Sequence, residues 1–411
     1  MNWRTLLTFP PREFSSAPSD HRPALDGVRG IAILVVFLYD CLKLPSGGIV
    51  NLLGRKLSSA GWTGVDLFFV LSGFLITGIL LDSRGKPGYF RSFFARRSLR
   101  IFPLYFTALW VTFVAVPWVA RYWSPAEPVA QRVAVLSHDQ VWFWTYMQNW
   151  MFAFRGHWPD VNYLNHFWSL AVEEQFYLVW PFIVCWASSR ALTRICWAAV
   201  IGALLLRVGL WMQGAPPVAM YAPTLTRVDS LCMGALFAMG LRSPVWYPRL
   251  CRWAPWLMIA AGGLLVGIDA VWPVLKSEQP GSQTIGHSLL AVLFGAFIFT
   301  AAAAQADGVV ARGLSLRALT LLGQFSYCMY VLHRPVYKLV NKLDWSVVPE
   351  SVRGISIFAG ALLGSLALSA VSRKLFEQPI LSLKSWFPRP GEAPAAKSAE
   401  PVATDRAAAQ A

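Results

Sequence analysis

The sequence predicts an all-α, polytopic membrane protein of about ten transmembrane helices with N and C termini cytoplasmic. Three observations predict it: a composition poor in charge, a series of apolar runs of bilayer length, and an uneven distribution of Lys and Arg between those runs. Of 411 residues, 56% are hydrophobic and 14% charged, against roughly 25% charge in a soluble domain. A chain of this composition takes a bilayer as its solvent, and about 20 apolar residues span the hydrocarbon.

The candidate spans run Ala24 to Leu42, Ala60 to Leu81, Leu99 to Val119, Phe167 to Ala187, Ile195 to Met212, Val228 to Leu241, Ala254 to Val274, Ser288 to Ala304, Ala318 to Tyr337 and Gly354 to Val371. The sixth is short and extends upstream through an Ala-Pro-Pro-Val-Ala stretch as a broken or thinly spanning helix. Val141 to Phe154 is apolar but aromatic-heavy and interrupted by Gln148 and Asn149, a composition that suits an interface. Cytoplasmic loops concentrate Lys and Arg. If Val141 to Phe154 does not cross, 23 Lys and Arg fall inside and 11 outside; if it crosses, every later basic loop moves outside. Ten spans with Val141 to Phe154 as an outward interfacial or re-entrant element is the reading these counts favour.

Three regions follow. Residues 1–23 form a cytoplasmic tail with no cleavable signal pattern, residues 24–380 the membrane domain, and residues 381–411 a Pro/Ala/charge-rich cytoplasmic tail unable to bury a core. The formal charge of +15 lies between the apolar runs and serves orientation, not nucleic acid. Six cysteines (Cys41, Cys185, Cys196, Cys232, Cys251, Cys328) form no C-x-x-C pair and read as small core residues. No phosphate-binding glycine loop, clustered metal ligands or clear internal repeat is present, so no metal is expected.

Charged residues within spans are costly in lipid and are therefore functional candidates. They occur in runs: Leu25-Asp26-Gly27-Val28-Arg29-Gly30-Ile31-Ala32, with Asp40 near the end of the same span; Gly64 to Leu75, carrying Asp66; Phe93 to Tyr105, carrying Arg96, Arg97 and Arg100; His166 to Tyr177, carrying Trp168, Glu173 and Glu174; Arg227-Val228-Asp229; Gly323 to Tyr327 with His333-Arg334-Pro335; and Phe376-Glu377-Gln378-Pro379. At about 1.5 Å per helical residue, Asp40, Asp66, His166, Glu173, Glu174, Arg227, Asp229 and His333 converge on the outer half, whereas Arg96, Arg97 and Arg100 sit at the inner face. An inner arginine cluster suits a phosphate-bearing ligand from the cytoplasm; ordinary positive-inside anchoring is the alternative.

Together, and in this order from Leu25 to Pro379, these runs resemble the membrane acyltransferase-3 family, whose members O-acylate O-antigen (a lipopolysaccharide component), exopolysaccharide, peptidoglycan, Nod factors and macrolides. The resemblance implies a bacterial inner-membrane domain of ten helices. It implies acyl-CoA, usually acetyl-CoA, as co-substrate, no permanently bound cofactor, and a hydroxyl acceptor on a carbohydrate or glycolipid. Arg97 and Arg100, with Arg96, would dock the acyl-CoA; Asp66, Arg227, Asp229 and Trp168 would contact the acceptor.

One position departs from the pattern. Where the family has a histidine eleven residues after the motif arginine, its favoured general base, this chain has Asp40. Three readings stay open. Asp40 itself acts as base, although a free aspartate near pKa ~4 is weak in that role and gains strength only by desolvation; His166 or His333 takes over, with Glu173 or Glu174 orienting it; or the chain is a non-catalytic relative that binds acyl-CoA or a glycan lipid. A secondary transporter is the competitor from another class, since intramembrane carboxylates and a broken sixth helix also suit a carrier. Weaker matches are His21 to Asp26, an H-x-x-x-x-D run lacking the soluble context its chemistry needs, and His138-Asp139, read as loop polarity. The glycines of the second span read as close helix packing.

Overall fold

The structure, a computed structural model, describes residues 22–47, 49–123, 127–159 and 163–390. His21, most of the N-terminal tail, and the C-terminal tail beyond residue 390 lie outside the described residues.

The described chain is helical throughout, and ten helices dominate it: α1 (Pro23–Cys41), α2 (Thr63–Ser83), α3 (Tyr89–Ala120, with a π turn at Val111–Ala115), α4 (Trp168–Trp186), α5 (Ser189–Met212), α6 (Thr224–Arg242), α7 (Trp246–Asp269), α8 (Ser282–Ala303, opening on a π turn), α9 (Arg317–Asn341) and α10 (Glu350–Ser372). Each matches one predicted span. Six of them, α2, α3, α5, α7, α8 and the α10 segment, are long and apolar enough to cross a membrane, as in an integral membrane protein. The other four, α1, α4, α6 and α9, carry most of the polar runs singled out above, and those charged and polar side chains set them apart from the plainly apolar six.

These segments fold as helices because a helix closes its own backbone hydrogen bonds, the requirement for any chain in lipid. Helix α2 and its neighbour α8 are mostly buried, while α5, α7 and α10 turn most of their surface outward. Helix α1 packs along α9 and α2 along α6. Both seams depend on glycine. A Cβ on Gly73 would stand 1.9 Å from the Leu231 carbonyl oxygen of α6, and one on Gly323 would stand 1.8 Å from the Asp26 oxygen of α1. Backbones can approach this closely only where no side chain intervenes.

Four details refine the predicted boundaries. Helix α3 begins ten residues before the predicted Leu99, because Tyr89 to Ser98 pack aromatic rings such as Phe90 against Phe182 of α4. The Val141 to Phe154 segment forms two short helices, Gln140–Trp144 and Gln148–Arg155, joined at Tyr146, whose φ is +55°. Ordered structure continues past residue 380: a last turn at Leu383–Trp386 is held by Arg96 donating to the carbonyls of Lys384 and Phe387 at 3.4 and 3.0 Å. Upstream of α6 a separate turn, Pro217–Tyr221, replaces the expected broken sixth span.

Candidate functional site: two chambers that share one wall

Two cavities lie inside the bundle. The first, about 170 Å³, is lined by Arg29 of α1, Ser72 of α2, Arg97 and Arg100 of α3, Glu173, Glu174 and Tyr177 of α4, and Ser326 and Tyr327 of α9. The second, about 700 Å³, is lined by Asp40, Trp62, Trp158, His166, Trp168, Tyr221 and Arg334 among others. Val65 and Tyr330 line both. Helix α1 reaches both chambers, with Arg29 in the first and Val36, Tyr39 and Asp40 in the second, since the eleven positions from Arg29 to Asp40 cover ~16 Å of helix.

In the basic chamber the carboxylates and arginines stand together. Ser72 donates to Glu173, Tyr177 donates to Ser72 at 2.8 Å, and the Arg97 guanidinium lies 4.0 Å above the Tyr177 ring. This corrects the expectation that Glu173 and Glu174 belong with the outer cluster and the arginines with the inner face. The early start of α3 carries Arg97 and Arg100 eight and eleven residues into the bundle, to the level of the two glutamates. Arg96, one residue away, points instead to the C-terminal turn and does not line this chamber.

The aromatic chamber is walled by Trp62, Trp158, Trp168 and Tyr221, with Trp168 and Tyr221 rings 4.7 Å apart. One end carries Asp40, whose Oδ1 accepts from Arg334 Nη2 at 2.9 Å and whose Oδ2 faces His333 Nε2 at 2.8 Å and Arg334 Nε at 3.3 Å. His333 Nδ1 meets the Tyr330 carbonyl at 2.7 Å. The His166 ring stands 4.8 Å from that of His333, and its Nε2 lies 3.3 Å from the Val331 carbonyl. Between the chambers, the Tyr330 hydroxyl pairs with Ser169 Oγ at 2.7 Å and donates to the His166 carbonyl at 3.0 Å.

Three residues expected to contact the acceptor, Asp66, Arg227 and Asp229, are fully buried and line neither chamber. Arg227 Nη2 binds Asp66 Oδ1 at 2.6 Å, where His287 Nδ1 also lies at 3.2 Å. Asp229 pairs with Arg207 at 2.7 Å and accepts from Ser288 at 3.1 Å. The cause is location: α6 starts at Thr224, so Arg227 and Asp229 already lie inside the packed seam with α2. Of the three, Arg227 backs the chamber wall, its guanidinium 5.2 Å from the Tyr221 ring and 5.9 Å from that of Trp168.

The model of the acyltransferase domain family, acyltransferase-3, matches residues 22–371, the stretch that builds both chambers. The chain belongs to the acyltransferase-3 family. Among curated acyltransferase-3 relatives it is 27% identical over 375 residues to the peptidoglycan O-acetyltransferase OatA of Listeria monocytogenes, covering 87% of this chain and 55% of the relative. It is 29% identical over 347 residues to the putative peptidoglycan O-acetyltransferase YrhL of Bacillus subtilis, covering 79% and 51%. The O-acetyltransferase OatA of Staphylococcus aureus is 25% identical over 381 residues, covering 87% and 57%. The chain thus spans about half the length of the curated relatives it matches. No solved structure matches it.

Several chamber residues were not singled out from the sequence. Ser72, Tyr177 and Tyr327 lie inside the quoted runs, where their neighbours' charges drew attention. Tyr330 and Ser169 carry no charge and stand out only once α4 and α9 are side by side. His287 belongs to no run; its one signal was a titratable side chain in an apolar stretch. Gln148 and Asn149, read as interruptions of a span, are buried and bonded. Gln148 donates to the Phe167 carbonyl at 2.7 Å and Asn149 to Thr224 Oγ1 at 3.0 Å, clamping the broken segment onto α4 and α6.

Proposed function

We propose that the chain moves an acyl group, acetyl in the first instance, from cytoplasmic acyl-CoA to a hydroxyl of a sugar or glycan on the outer side of a bacterial inner membrane. All ten long helices would cross, with both ends inside, as the Lys and Arg counts favour. The observation that carries the reading is the pair of chambers meeting at Val65 and Tyr330. One is small and basic, the other large and aromatic, and a two-substrate transfer needs both.

Arg29, Arg97 and Arg100 supply positive charge for the donor. A chamber of about 170 Å³ is below the usual size of a site for a whole drug-sized ligand; it suits the thioester end of the pantetheine arm. Trp62, Trp158, Trp168 and Tyr221 present ring faces to the acceptor, with the Asp40, His166 and His333 cluster beside them as the source of acid/base chemistry. Relatives named as peptidoglycan O-acetyltransferases support a glycan acceptor. In the transfer the acceptor oxygen bonds the acyl carbon, the C–S bond breaks, and CoA leaves as the thiol.

Radiolabelled acetyl-CoA tests this with purified protein in lipid. Substrate-dependent release of CoA thiol is expected, and Arg97→Ala abolishes use of the labelled donor. An unchanged apparent KM in that variant removes the docking role, and uptake of solute without thiol release replaces the transferase by a carrier.

A further inference from the structure

The aromatic chamber holds three candidate proton acceptors, and their hydrogen bonds separate them. Asp40 has donors on both oxygens, two from Arg334 and one from His333. His333 faces an acceptor on each nitrogen, the Tyr330 carbonyl and the Asp40 carboxylate, so opposite an ionised Asp40 it has no lone pair to offer. His166 differs. Its Nε2 faces the Val331 carbonyl, which can only accept, so Nε2 bears the proton. Its Nδ1 then bears the lone pair, and that atom is buried with no hydrogen-bond partner. His166 is among the residues that line the chamber.

The Val331 carbonyl is open to His166 for a reason written in the sequence. In an α-helix the carbonyl of residue 331 accepts from the N–H of residue 335. Residue 335 is proline, inside α9, and proline has no N–H. Pro335 removes the competitor for that carbonyl, and the side chain of His166, in the turn Asn165–Phe167 that leads into α4, takes its place.

We propose that His166 is the general base of the transfer, acting through Nδ1, and that Pro335 is a positioning residue that fixes its tautomer by leaving the Val331 carbonyl to Nε2. Asp40 holds His333 and Arg334 in place and is not the base. This rests on the transferase reading above. The acceptor O–H bond breaks and its proton passes to Nδ1. The oxygen's electron pair forms the bond to the thioester carbon, and the C–S pair leaves on sulfur. His166 returns the proton to that thiolate, giving CoA thiol and regenerating the neutral ring.

Ring-¹⁵N labelling of the six histidines of the full chain in nanodiscs reads the tautomer directly, and loss of one signal in His166→Gln assigns it. The expected signal carries the proton on Nε2 alone. In membrane vesicles from the native host, which bring their own acceptor, His166→Gln lowers acetyl transfer by about 10²- to 10⁴-fold, the usual contribution of a general base. Pro335→Ala restores the competing N–H, shifts the His166 signal toward a tautomer mixture and lowers transfer roughly tenfold on the same scale. A His166 ring protonated on Nδ1 in the unaltered chain, or transfer within about threefold of normal in His166→Gln, overturns the base assignment alone; where His166→Gln fails to fold, single substitutions of the other five histidines assign the signal by elimination. An unaltered chain that releases no CoA thiol while its His166 signal is as expected overturns the transferase reading and the role with it.

Discussion

Two clusters in this molecule are built from the same three residue types. Asp40, His333 and Arg334 form one; Asp66, His287 and Arg227 form the other. In each an aspartate meets a histidine and an arginine within 2.6 to 3.2 Å. They differ in access. The first borders the aromatic chamber and its carboxylate is 16% exposed; the second is sealed at 0%. Composition alone does not separate a site from a strut in a membrane bundle, because burial makes both rare and makes both look functional. An open lining and a sealed seam separate them.

That contrast can be broken. Arg227→Ala leaves the Asp66 carboxylate without its counter-charge in the sealed seam and is expected to destabilise the fold by about 3–5 kcal/mol, seen as a lower melting temperature and yield in detergent, with activity falling only as folded protein is lost. An Asp66→Leu, Arg227→Met double variant recovers much of the loss, since a buried pair replaced by apolar groups of like volume is often neutral. If Arg227→Ala melts normally yet kills transfer, the sealed cluster belongs to the reaction after all.

Asp40→His tests the open cluster. Placing an imidazole against His333 and Arg334 removes the carboxylate both of them contact, so transfer is expected to fall at least tenfold, about 1.4 kcal/mol, with a smaller change in melting than Arg227→Ala. A large gain in transfer means instead that the site is degenerate and Asp40 a defect. The mildest expected effect is Trp168→Ala. Loss of one stacking face, worth about 0.5–1.5 kcal/mol, raises the acceptor KM roughly two- to twelvefold and leaves that for acetyl-CoA unchanged.

Much of the architecture was legible in the chain. Each predicted span became a helix because length and apolarity are local properties, and Val141 to Phe154, doubted as a span because of Gln148 and Asn149, forms two short helices. The site was legible only in part. The runs pointed to Arg97, Glu173, His166 and His333, yet depth estimated from span boundaries put Arg97 and Glu173 on opposite faces, an error that followed from placing the start of α3 ten residues late. Asp66, Arg227 and Asp229 lie in a sealed seam and line neither chamber, a placement the sequence did not reveal because charge in a span signals a constraint without saying whether that constraint is catalysis or packing. Tyr330 and Ser169 were invisible for the opposite reason: neutral hydroxyls cost little in a helix, and their place between two chambers is a property of how α4 and α9 meet. Pro335 was in view throughout, as a residue of the His333-Arg334-Pro335 run, but what it does depends on a histidine 169 positions away.

The wall of Val65 and Tyr330 has a consequence for the cell that carries this protein. A membrane that stores energy as an ion gradient tolerates a water-filled recess on each face but not a continuous passage between them. One valine and one tyrosine pinned by its hydroxyl stand between the two recesses, so under the proposed transfer, with the recesses opening to opposite faces, an acetyl group would cross without short-circuiting the gradient.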